Sequence, residues 1–444
     1  MVLQQESTVN IWGWGNPAEK VQISSSWNST LSEGTADSGG RWKIPIPTPK
    51  AGGPYSITVQ GGNSIVLEDV MIGEVWVCSG QSNMEWSGNH GLQQCKDEAP
   101  HANNPNIRFF YIPKTTANYP QDRCEGSWKV CTPEEMMKFS AVGYFFGKRL
   151  HHSLDAPVGL INSNWGGTPA EVWMPRELVL DDSELQVAAS QIQPFAWWPK
   201  DAGLCYNAMI HPITSYKIAG TIWYQGESNA GRAYQYRDLF PLMIQNWRDV
   251  WNQGDFPFYW VQLADFRLEK DQPADSDWAE LREAQTMTMS KLPNTGEAVI
   301  IDLGEAQDIH PKNKQDVGKR LARWALVKDY GYDIVYRSPI YKSMDRQGNK
   351  ITLTFNHVGG GMDLFDVRQP IGFTIAGADQ KFVRAEAKII NKTQIEVWSE
   401  SVSNPAAVRY AWADNPVCNV QNKEGLPLTP FRTDDWPGVT IDNH

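Results

Sequence analysis

The sequence predicts an α/β protein whose α/β region is flanked on both sides by all-β segments. In the middle of the chain, apolar strand-like runs alternate with helical patterns, which implies crossover connections and a mainly parallel sheet with helices on both faces. Towards both ends, short alternating segments are separated by Gly, Asn, Asp and Pro, as in antiparallel β domains. A chain of 444 residues is long enough for several domains of ordinary size.

Residues 1–70 are predicted to form an amino-terminal β-sandwich. Its strand-like runs are VNIWGWG, KVQISSSW, RWKIPIP, YSITVQ and SIVLEDV. Residues 336–444 show the same patterning in NKITLTFN, IGFTIAG, AKIINKTQIEVWS and AAVRYAWA, and RQGNK is typical of a hairpin turn. We therefore expect a carboxy-terminal β-rich domain as well.

Residues 71–335 are predicted to form the α/β domain. Buried strands are expected in EVWVCSG, NIRFFYIP, PVGLINSN, AGTIWYQG, FPFYWVQL and AVIIDLG. Helices are expected in EEMMKFSAVGYFFGKRL, AYQYRDLFPLMIQNWRDVW, SDWAELREAQTMTMSKL and KQDVGKRLARWALV. This alternation predicts a parallel sheet whose carboxyl edge can bind a ligand.

The composition argues against two classes of partner. The formal net charge is -11 and no basic run occurs, whereas affinity for nucleic acid comes mainly from clustered Lys and Arg. No apolar stretch approaches the ~18 residues that span a bilayer. We therefore expect neither a nucleic-acid partner nor a membrane span, and the sequence leaves the oligomeric state open.

The cysteines predict neither a disulfide scaffold nor a metal site. There are six, too few for such a scaffold, and none shows the paired CxxC spacing of zinc sites: Cys78, Cys95, Cys124, Cys131, Cys205 and Cys418. Cys124 and Cys131 are close enough in sequence to form a disulfide, and two free buried thiols fit the pattern equally well. The cysteines therefore do not indicate the cellular compartment of the protein.

Residues suited to acyl transfer follow several predicted strands. Ser82 lies in SGQSN after EVWVC, Gly167 in WGGT after VGLINSN, Gln225 in QGES after AGTIWY, and His310 in EAQDIHP after AVIIDLG. Because ligands of open parallel sheets bind outside the carboxyl ends of the strands, we expect these residues to meet at one edge.

Each of them has a task in ester hydrolysis. A serine hydroxyl needs a base within hydrogen-bond reach, and an imidazole titrates in the right range. The tetrahedral oxyanion needs preset donors, for which the amide of Ser82, an amide of the 166–167 glycine pair and the Gln225 side chain are candidates. Taken singly, the motifs also fit turns, a helix cap and a surface histidine. Their coincidence at the strand ends of one sheet favours catalysis.

These residues lie in segments that resemble a known family. GEVWVCSGQSNMEW, NSNWGGTPAEVWMP, GTIWYQGESNA and DIHPKNKQDVGKRLA are similar to the motif blocks of the sialate O-acetylesterase family, within the SGNH, or GDSL-like, hydrolase superfamily. Further similarity lies in YNAMIHPIT, VRYAWADNP and GLPLTPFRTDDWP, so that the resemblance covers most of the chain.

The resemblance implies a role for each residue. Ser82 matches the nucleophile, Gly167 the backbone oxyanion donor and His310 the general base, while Gln225 stands where many relatives have an asparagine donor. The implied fold is a flavodoxin-like three-layer α/β/α SGNH hydrolase domain with flanking all-β domains. The implied activity removes acetyl esters from sugars, with sialic acids as the type substrate and with no metal or cofactor. We expect a secreted or periplasmic protein whose leader is absent from this sequence.

One position departs from the superfamily pattern. The aspartate commonly lies three residues before the histidine, where this chain has Gln307, and the nearest acid is Asp308. Either the Asp308 carboxylate orients His310, or a main-chain carbonyl does so and the site is a Ser-His dyad. We favour Asp308, because a carboxylate both fixes the tautomer and stabilises the imidazolium.

Three charged residues are candidates for substrate binding: Glu171, Glu227 and Arg232. The carboxylates suit sugar hydroxyls, and Arg232 suits a substrate carboxylate. Structural carboxylates that accept hydrogen bonds from backbone amides are the alternative, and His211 is a candidate for a supporting contact.

The sequence therefore predicts a serine esterase that removes O-acetyl groups from sugars, most of all O-acetylated sialic acids, through an acetyl-enzyme intermediate. Acetylated xylan or another polysaccharide is the alternative substrate. A glycoside hydrolase using Glu171 and Glu227 is a second reading, and it leaves Ser82 and His310 unexplained. A non-catalytic carbohydrate-binding protein is a third, supported by the 20 tryptophans, which suit sugar stacking as well as core packing.

Overall fold

The computed structural model describes residues 1–443, and within them a large mixed sheet is accompanied by several smaller all-β sheets. The amino-terminal strands are β1 (Val2–Gln4), β2 (Thr8–Trp14), β3 (Lys20–Ser25), β4 (Asn28–Thr35), β5 (Arg41–Pro47), β6 (Gly52–Gln60) and β7 (Ser64–Gly80). β3 pairs antiparallel with β4 and β6, and β2 pairs antiparallel with β5. Their alternating apolar side chains form a core of their own.

Strand β7 connects the amino-terminal region to the central sheet. It is 17 residues long. Its first half pairs antiparallel with β6, whereas residues 74–80 pair in parallel with central strands on both sides. The position expected for the first domain boundary, between residues 70 and 71, thus lies inside a continuous strand.

The other central strands are β8 (Asn104–Tyr111), β9 (Trp128–Cys131), β10 (Val158–Asn164), β11 (Gly220–Tyr224), β12 (Phe258–Val261) and β13 (Thr295–Ala298). The order across the sheet is β13-β12-β11-β7-β10-β8-β9. All neighbours are parallel except β9, which pairs antiparallel with β8 at the edge. This arrangement confirms the predicted α/β sheet and brings the carboxyl ends of β7, β10 and β11 side by side.

The last predicted strand of this region is displaced. AVIIDLG was expected in the sheet, but β13 ends at Ala298. Ile300 joins the core between the sheet and its helices, whereas Val299 and Ile301 pack into the core of the carboxy-terminal β sheets. An apolar run that serves two cores does not need to continue as a strand.

The helices are α1 (Ser82–Glu85), α2 (Gln93–Glu98), α3 (Pro133–Lys138), α4 (Ala141–Leu154), α5 (Arg176–Leu180), α6 (Ser183–Ser190), α7 (Ala233–Trp251), α8 (Asp277–Lys291) and α9 (Lys314–Lys328). The run EEMMKFSAVGYFFGKRL, predicted as one helix, forms α3 and α4. The break arises because the Ser140 side chain caps α4 by accepting a hydrogen bond from the Gly143 N–H.

Side chains of β7 alternate between two separate cores. Trp76 and Cys78 pack with residues of α4 and α9, whereas Val75 and Val77 pack with residues of α7 and α8. This is the period-2 alternation of a strand that is buried on both faces. None of the helices in residues 1–443 is both long and apolar enough to cross a bilayer.

The carboxy-terminal strands are β14 (Ile340–Gln347), β15 (Lys350–Asn356), β16 (Met362–Leu364), β17 (Phe373–Ala376), β18 (Val383–Arg384), β19 (Glu386–Asn391), β20 (Gln394–Trp398), β21 (Ala407–Tyr410), β22 (Val420–Asn422) and β23 (Phe431–Arg432). They form antiparallel sheets in the orders β14-β15-β20-β19 and β18-β17-β21-β23, with β16 paired to β22. The hairpin predicted at RQGNK joins β14 to β15. All six cysteines of the chain are free.

Candidate active site

A pocket of about 570 Å³ lies at the carboxyl edge of the central sheet. Its lining comes from the segments that follow β7, β8, β10 and β11 and from the segment before α9. The residues are Gln81, Ser82, Glu85, Trp86, His90, Lys114, Trp165, Gly166, Gly167, Trp197, Glu227, Ser228, Ile309 and His310. The pocket thus combines a hydroxyl, imidazoles, carboxylates and indole rings.

Ser82 and His310 are in direct contact in this pocket. The Nε2 atom of His310 lies 3.0 Å from the Oγ atom of Ser82, although 228 positions separate them in the sequence. Ser82 begins helix α1 directly after β7, and the turn between them needs Gly80. With φ at +135°, a Cβ atom at Gly80 would lie 2.2 Å from the Tyr224 carbonyl oxygen of the neighbouring strand.

Asp308 is the acid beside the imidazole. Its Oδ1 atom accepts the backbone N–H of His310 at 3.0 Å and lies 3.3 Å from the ring Nδ1 atom. The Asp308 side chain is 32% exposed, so that water shares the carboxylate. The structure therefore brings Asp308 to His310 at the tighter spacing expected from the sequence, with a contact somewhat longer than a usual charge-assisted hydrogen bond.

The surroundings of His310 favour the neutral form of its ring. Burial lowers the pKa of His310 most, the positive charge of Lys314 lowers it further, and Asp308 acts in the opposite direction. The indole of Trp86 stacks on the imidazole with ring centroids 4.2 Å apart and an interplanar angle of 13°. A lowered pKa favours the neutral imidazole, which is the form that can accept a proton.

The backbone amides of Ser82 and Gly167 both border the pocket and have no hydrogen-bond partner among the described residues. Ser82 is the first residue of α1, where backbone N–H groups lack partners within the helix. Gly167 has φ of +83°, and a Cβ atom there would lie 2.4 Å from the Trp198 ring. The neighbouring Gly166 N–H is already donated to Glu85 Oε2 at 2.6 Å. Gly167 is therefore the available donor of the pair.

The structure does not bring Gln225 to the pocket, and its expected role as an oxyanion donor needs correction. The side chain is fully buried. Its Nε2 atom donates to Asn229 Oδ1 at 2.7 Å and to the Thr168 carbonyl at 3.3 Å, while Oε1 accepts from the Tyr236 hydroxyl at 3.0 Å. Both donor positions of the amide are thus used inside the protein.

Gln225→Ala is accordingly expected to act on stability. Removing the amide takes a hydrogen-bond partner from the buried Tyr236 hydroxyl and Thr168 carbonyl and one of two donors from Asn229 Oδ1. We expect the free energy of unfolding to fall by about 2 kcal/mol, because an unsatisfied buried polar group costs roughly 1–3 kcal/mol. Chemical denaturation measures this loss. A loss of about 100-fold or more in kcat at unchanged stability would instead restore the oxyanion role.

Two of the predicted substrate-binding residues lie outside the pocket. Glu171 is buried, accepts both hydrogen bonds of the Asn229 side-chain amide, and forms a 3.2 Å ion pair with Arg232. This pair is a structural contact, made by side chains and not by the backbone amides of the alternative interpretation, and it corrects the expectation for Glu171 and Arg232. His211 is also remote, with its Nδ1 atom 2.9 Å from the Gln121 carbonyl.

Glu227 does line the pocket, but one of its oxygens is engaged below it. Oε1 accepts a hydrogen bond from Asn83 Nδ2 at 2.6 Å, and burial raises the pKa of the carboxyl. With Glu171 held in its ion pair, the two carboxylates do not flank a common cavity. The glycoside hydrolase reading therefore loses its acid-base pair.

Sequence reasoning missed several pocket residues. Trp86 and Lys114 are among them, and so is Glu85, which forms a 2.6 Å ion pair with Lys114. The indole of Trp197 is 69% exposed at the rim. Among residues 1–443 there is no group of three or more His, Cys, Asp or Glu side chains that could hold a metal ion.

Comparisons with known proteins show the family to which this chain belongs. The model of a family described as carbohydrate esterase, sialic acid-specific acetylesterase, matches residues 72–327. The chain is 30% identical to the rat sialate O-acetylesterase, over 97% of this chain and 92% of that protein, and 28% identical to the human one, over 99% and 92%.

Among solved structures, the chain is similar to a carbohydrate acetylesterase from Xanthomonas citri. The TM-score is 0.89 and the identity 41%, covering 98% of this chain and 97% of that chain. The family match spans more than half of the chain and includes the segments that carry Ser82, Gly167 and His310. The chain therefore belongs to the sialic acid-specific acetylesterase family of carbohydrate esterases, and it is a carboxylic ester hydrolase acting on O-acetylated sugars.

Proposed function

We propose that this protein deacetylates saccharides through an acetyl-enzyme intermediate on Ser82. The observation that carries the proposal is the 3.0 Å contact between Ser82 Oγ and His310 Nε2 in a pocket with unpartnered backbone donors. A hydroxyl in contact with a neutral imidazole is the arrangement that makes serine nucleophilic. O-Acetylated sialic acids are the first substrate class that we propose.

In the acylation step, Ser82 Oγ attacks the acetyl carbonyl carbon while His310 Nε2 takes the hydroxyl proton. The N–H groups of Ser82 and Gly167 stabilise the resulting oxyanion. As the intermediate collapses, the bond between the acetyl carbon and the sugar oxygen breaks. The departing sugar oxygen takes the proton from His310, which leaves a neutral sugar hydroxyl and an acetyl ester on Ser82.

In the deacylation step, a water molecule attacks the acetyl ester. His310 takes one proton of that water as it attacks. Collapse of the second intermediate breaks the bond to Ser82 Oγ, and His310 returns the proton to this oxygen. Acetic acid is released and the starting protonation state is restored.

We assign Asp308 the role of orienting His310. A carboxylate beside Nδ1 keeps the proton on that nitrogen, so that Nε2 faces Ser82 as an acceptor, and it stabilises the imidazolium formed during each step. The 3.3 Å separation and the partial exposure of Asp308 indicate a weaker contribution than that of a fully buried aspartate. We therefore expect Ser82, His310 and Asp308 to act as a triad, and Ser82 with His310 to retain a lower activity when the Asp308 carboxylate is removed.

Asp308→Asn is expected to lower kcat by about 10- to 100-fold, less than the roughly 10,000-fold found for a buried triad aspartate. Because the Asp308 charge raises the pKa of His310, the acid limb of the kcat/KM profile should also move to lower pH. Steady-state kinetics over pH measure both effects. Glu305→Gln, a neighbouring exposed carboxylate on the same segment, serves as the control. An unchanged rate and limb would favour orientation by a main-chain carbonyl.

We infer the finer architecture and the domain limits in the same way. The proposal is a flavodoxin-like three-layer SGNH domain at residues 71–335 between β-rich domains at 1–70 and 336–444. It is supported by the alternation of β7 side chains between one core with α4 and α9 and another with α7 and α8. A secreted or periplasmic location stays a prediction, which fractionation of the native host tests.

The identity of the sugar is tested by acetate release from a matched panel. O-Acetylated sialic acids, acetylated xylo-oligosaccharides and an acetyl ester of a simple phenol would be assayed under the same conditions. We expect acetate from the sialic acids and from the simple ester. If the xylo-oligosaccharides were the only sugars that released acetate, acetylated polysaccharides would replace sialic acids as the proposed substrate. Saccharide binding with no acetate release from any ester would contradict the proposed function and support a binding protein.

A further inference from the structure

A buried lysine lies beneath the pocket and has no part in the steps above. Lys314 is the first residue of α9, four positions after His310, and its side chain is fully buried. Its Nζ atom donates a hydrogen bond to Asn83 Oδ1. Burial of an ammonium group is costly, because its charge loses the solvation of water. The cost of burying the Lys314 ammonium group must be offset by interactions with its neighbours.

Asn83 connects the lysine to both reacting side chains. It follows Ser82 in α1, and its Nδ2 atom donates to the carbonyl of Ile309 at 3.0 Å and to Glu227 Oε1 at 2.6 Å. Ile309 immediately precedes His310. The amide of Asn83 therefore joins the helix that carries the nucleophile to the segment that carries the base, and the bond from Lys314 fixes its orientation.

Charged and titratable groups face both Lys314 and His310. Glu227 and Asp308 are the negative charges that face Lys314, and burial nevertheless lowers its pKa to about 7. His310 in turn faces Lys314, Asp308 and His90, of which the first and last lower its pKa and the second raises it. The acid conditions that protonate His310 also favour the charged form of Lys314.

Two aromatic rings lie close to the ammonium group of Lys314. Its Nζ atom lies 5.2 Å from the centroid of Tyr224 and 5.9 Å from that of Trp86, the ring that stacks on His310. The face of an aromatic ring attracts a cation, and more strongly when water is absent. The lysine is thus held in one place at a fixed distance from the base.

We propose that Lys314 is a positioning residue of the esterase, which acts through Asn83 to hold Ser82 in register with His310 and whose charge disfavours protonation of His310. The proposal rests on the proposed function only in naming Ser82 and His310 as the reacting pair. Two consequences follow. Loss of the hydrogen bond should misplace the pair, and loss of the charge should make His310 easier to protonate.

The first test is Lys314→Met, which keeps the length of the side chain and removes its donor and its charge. We expect kcat to fall by about 10- to 100-fold with KM changed by less than about 2-fold, since a misplacement of ~1 Å costs about 100-fold and substrate contacts are untouched. The acid limb of the kcat/KM profile should move to higher pH, because a positive charge that lowers the pKa of His310 is gone. Lys319→Met, an exposed lysine of the same helix, should change neither.

A double-mutant cycle then tests the route of the effect. If Lys314 acts through Asn83, the double variant Lys314→Met with Asn83→Ala should lose no more kcat than Asn83→Ala alone. Multiplied losses would contradict that route. Unchanged kcat and an unmoved acid limb in Lys314→Met would overturn the proposal as a whole, while leaving the nucleophile assigned to Ser82 intact.

A second variant covers the case in which Lys314→Met does not fold. Lys314→Gln retains a neutral donor in a polar side chain, and thermal unfolding identifies which variants are folded. In the folded variant, we expect the same shift of the acid limb to higher pH, since the charge is absent in both. A limb that stays in place in Lys314→Gln would contradict the electrostatic part of the proposal.

Discussion

Replacing Ser82 by alanine is expected to lower kcat for acetate release by about 1,000,000-fold, the order of magnitude found when the nucleophile of a serine hydrolase is removed. The Oγ atom that contacts His310 is the only atom lost, and no acetyl-enzyme can form without it. The backbone amides of Ser82 and Gly167 remain, so that a small residual rate above the uncatalysed reaction should persist. Acetate release under saturating substrate measures the effect.

Ser79→Ala is a matched control for that experiment. Ser79 lies three positions before Ser82, near the end of β7, and its buried hydroxyl has no hydrogen-bond partner. Its removal should leave kcat unchanged and stability equal or slightly higher, because no bond is broken. Thermal unfolding of both variants shows that the fold is intact. Near-normal turnover by Ser82→Ala would end the account of a serine nucleophile.

His310→Ala should have an effect of similar size, with kcat lower by about 10,000-fold or more. The imidazole accepts the Ser82 proton and returns it to the leaving sugar, so that both acylation and deacylation lose their proton carrier. Acetate release again measures the loss, and His152→Ala, an exposed histidine of α4, is the control. Retention of most activity in His310→Ala would show that another group activates Ser82.

The wild-type pH profile tests the same residue without a substitution. Burial and Lys314 together outweigh Asp308 and lower the pKa of His310 from its ordinary value. The neutral, active form is present above that pKa and is lost as the pH falls through it. We therefore expect the acid limb of kcat/KM to lie below pH ~6.5. An acid limb clearly above pH ~6.5 would contradict this expectation, because it would mean that the surroundings of His310 raise its pKa.

The position of Ser82 at the carboxyl edge of the sheet could be anticipated from the parallel strand pattern, whereas His310 reaches that edge from the segment before α9, because the run AVIIDLG does not form the predicted strand. Parallel strands bring their carboxyl ends to one edge, so that residues directly after the apolar runs meet there whatever their separation in the sequence. The same logic located Gly167 after β10. Helix α7 has the predicted bounds, because its amphipathic period extends over the whole run.

The direction of individual side chains could not be anticipated in this way. Gln225 and Glu227 both follow β11, yet Gln225 points into the core and Glu227 lines the pocket. The backbone turns between them at Gly226, whose φ is 157°. A motif shows that polar residues follow a strand, and only the turn geometry decides which of them faces the ligand. Glu171 and Arg232 were misjudged for the same reason.

The supporting residues were hidden because their signal depends on tertiary contacts. Asn83 and Trp86 lie in the same short segment as Ser82, where an amide and an indole also suit a turn and a core. Lys314 lies four positions after His310, and a lysine in the first turn of a helix is normally a solvated residue. Its complete burial is visible only once α1, β11 and α9 are assembled.

Labelling with an organophosphate ester tests most directly the claim that Ser82 is the nucleophile. An activated serine attacks the phosphorus of such a reagent as it attacks an acyl carbon, and it stays covalently labelled. We expect one label per chain, located on the peptide that contains Ser82, with activity lost in proportion and with little labelling in His310→Ala. Inactivation with the label on any other residue, or full activity in protein labelled at Ser82, would contradict the mechanism.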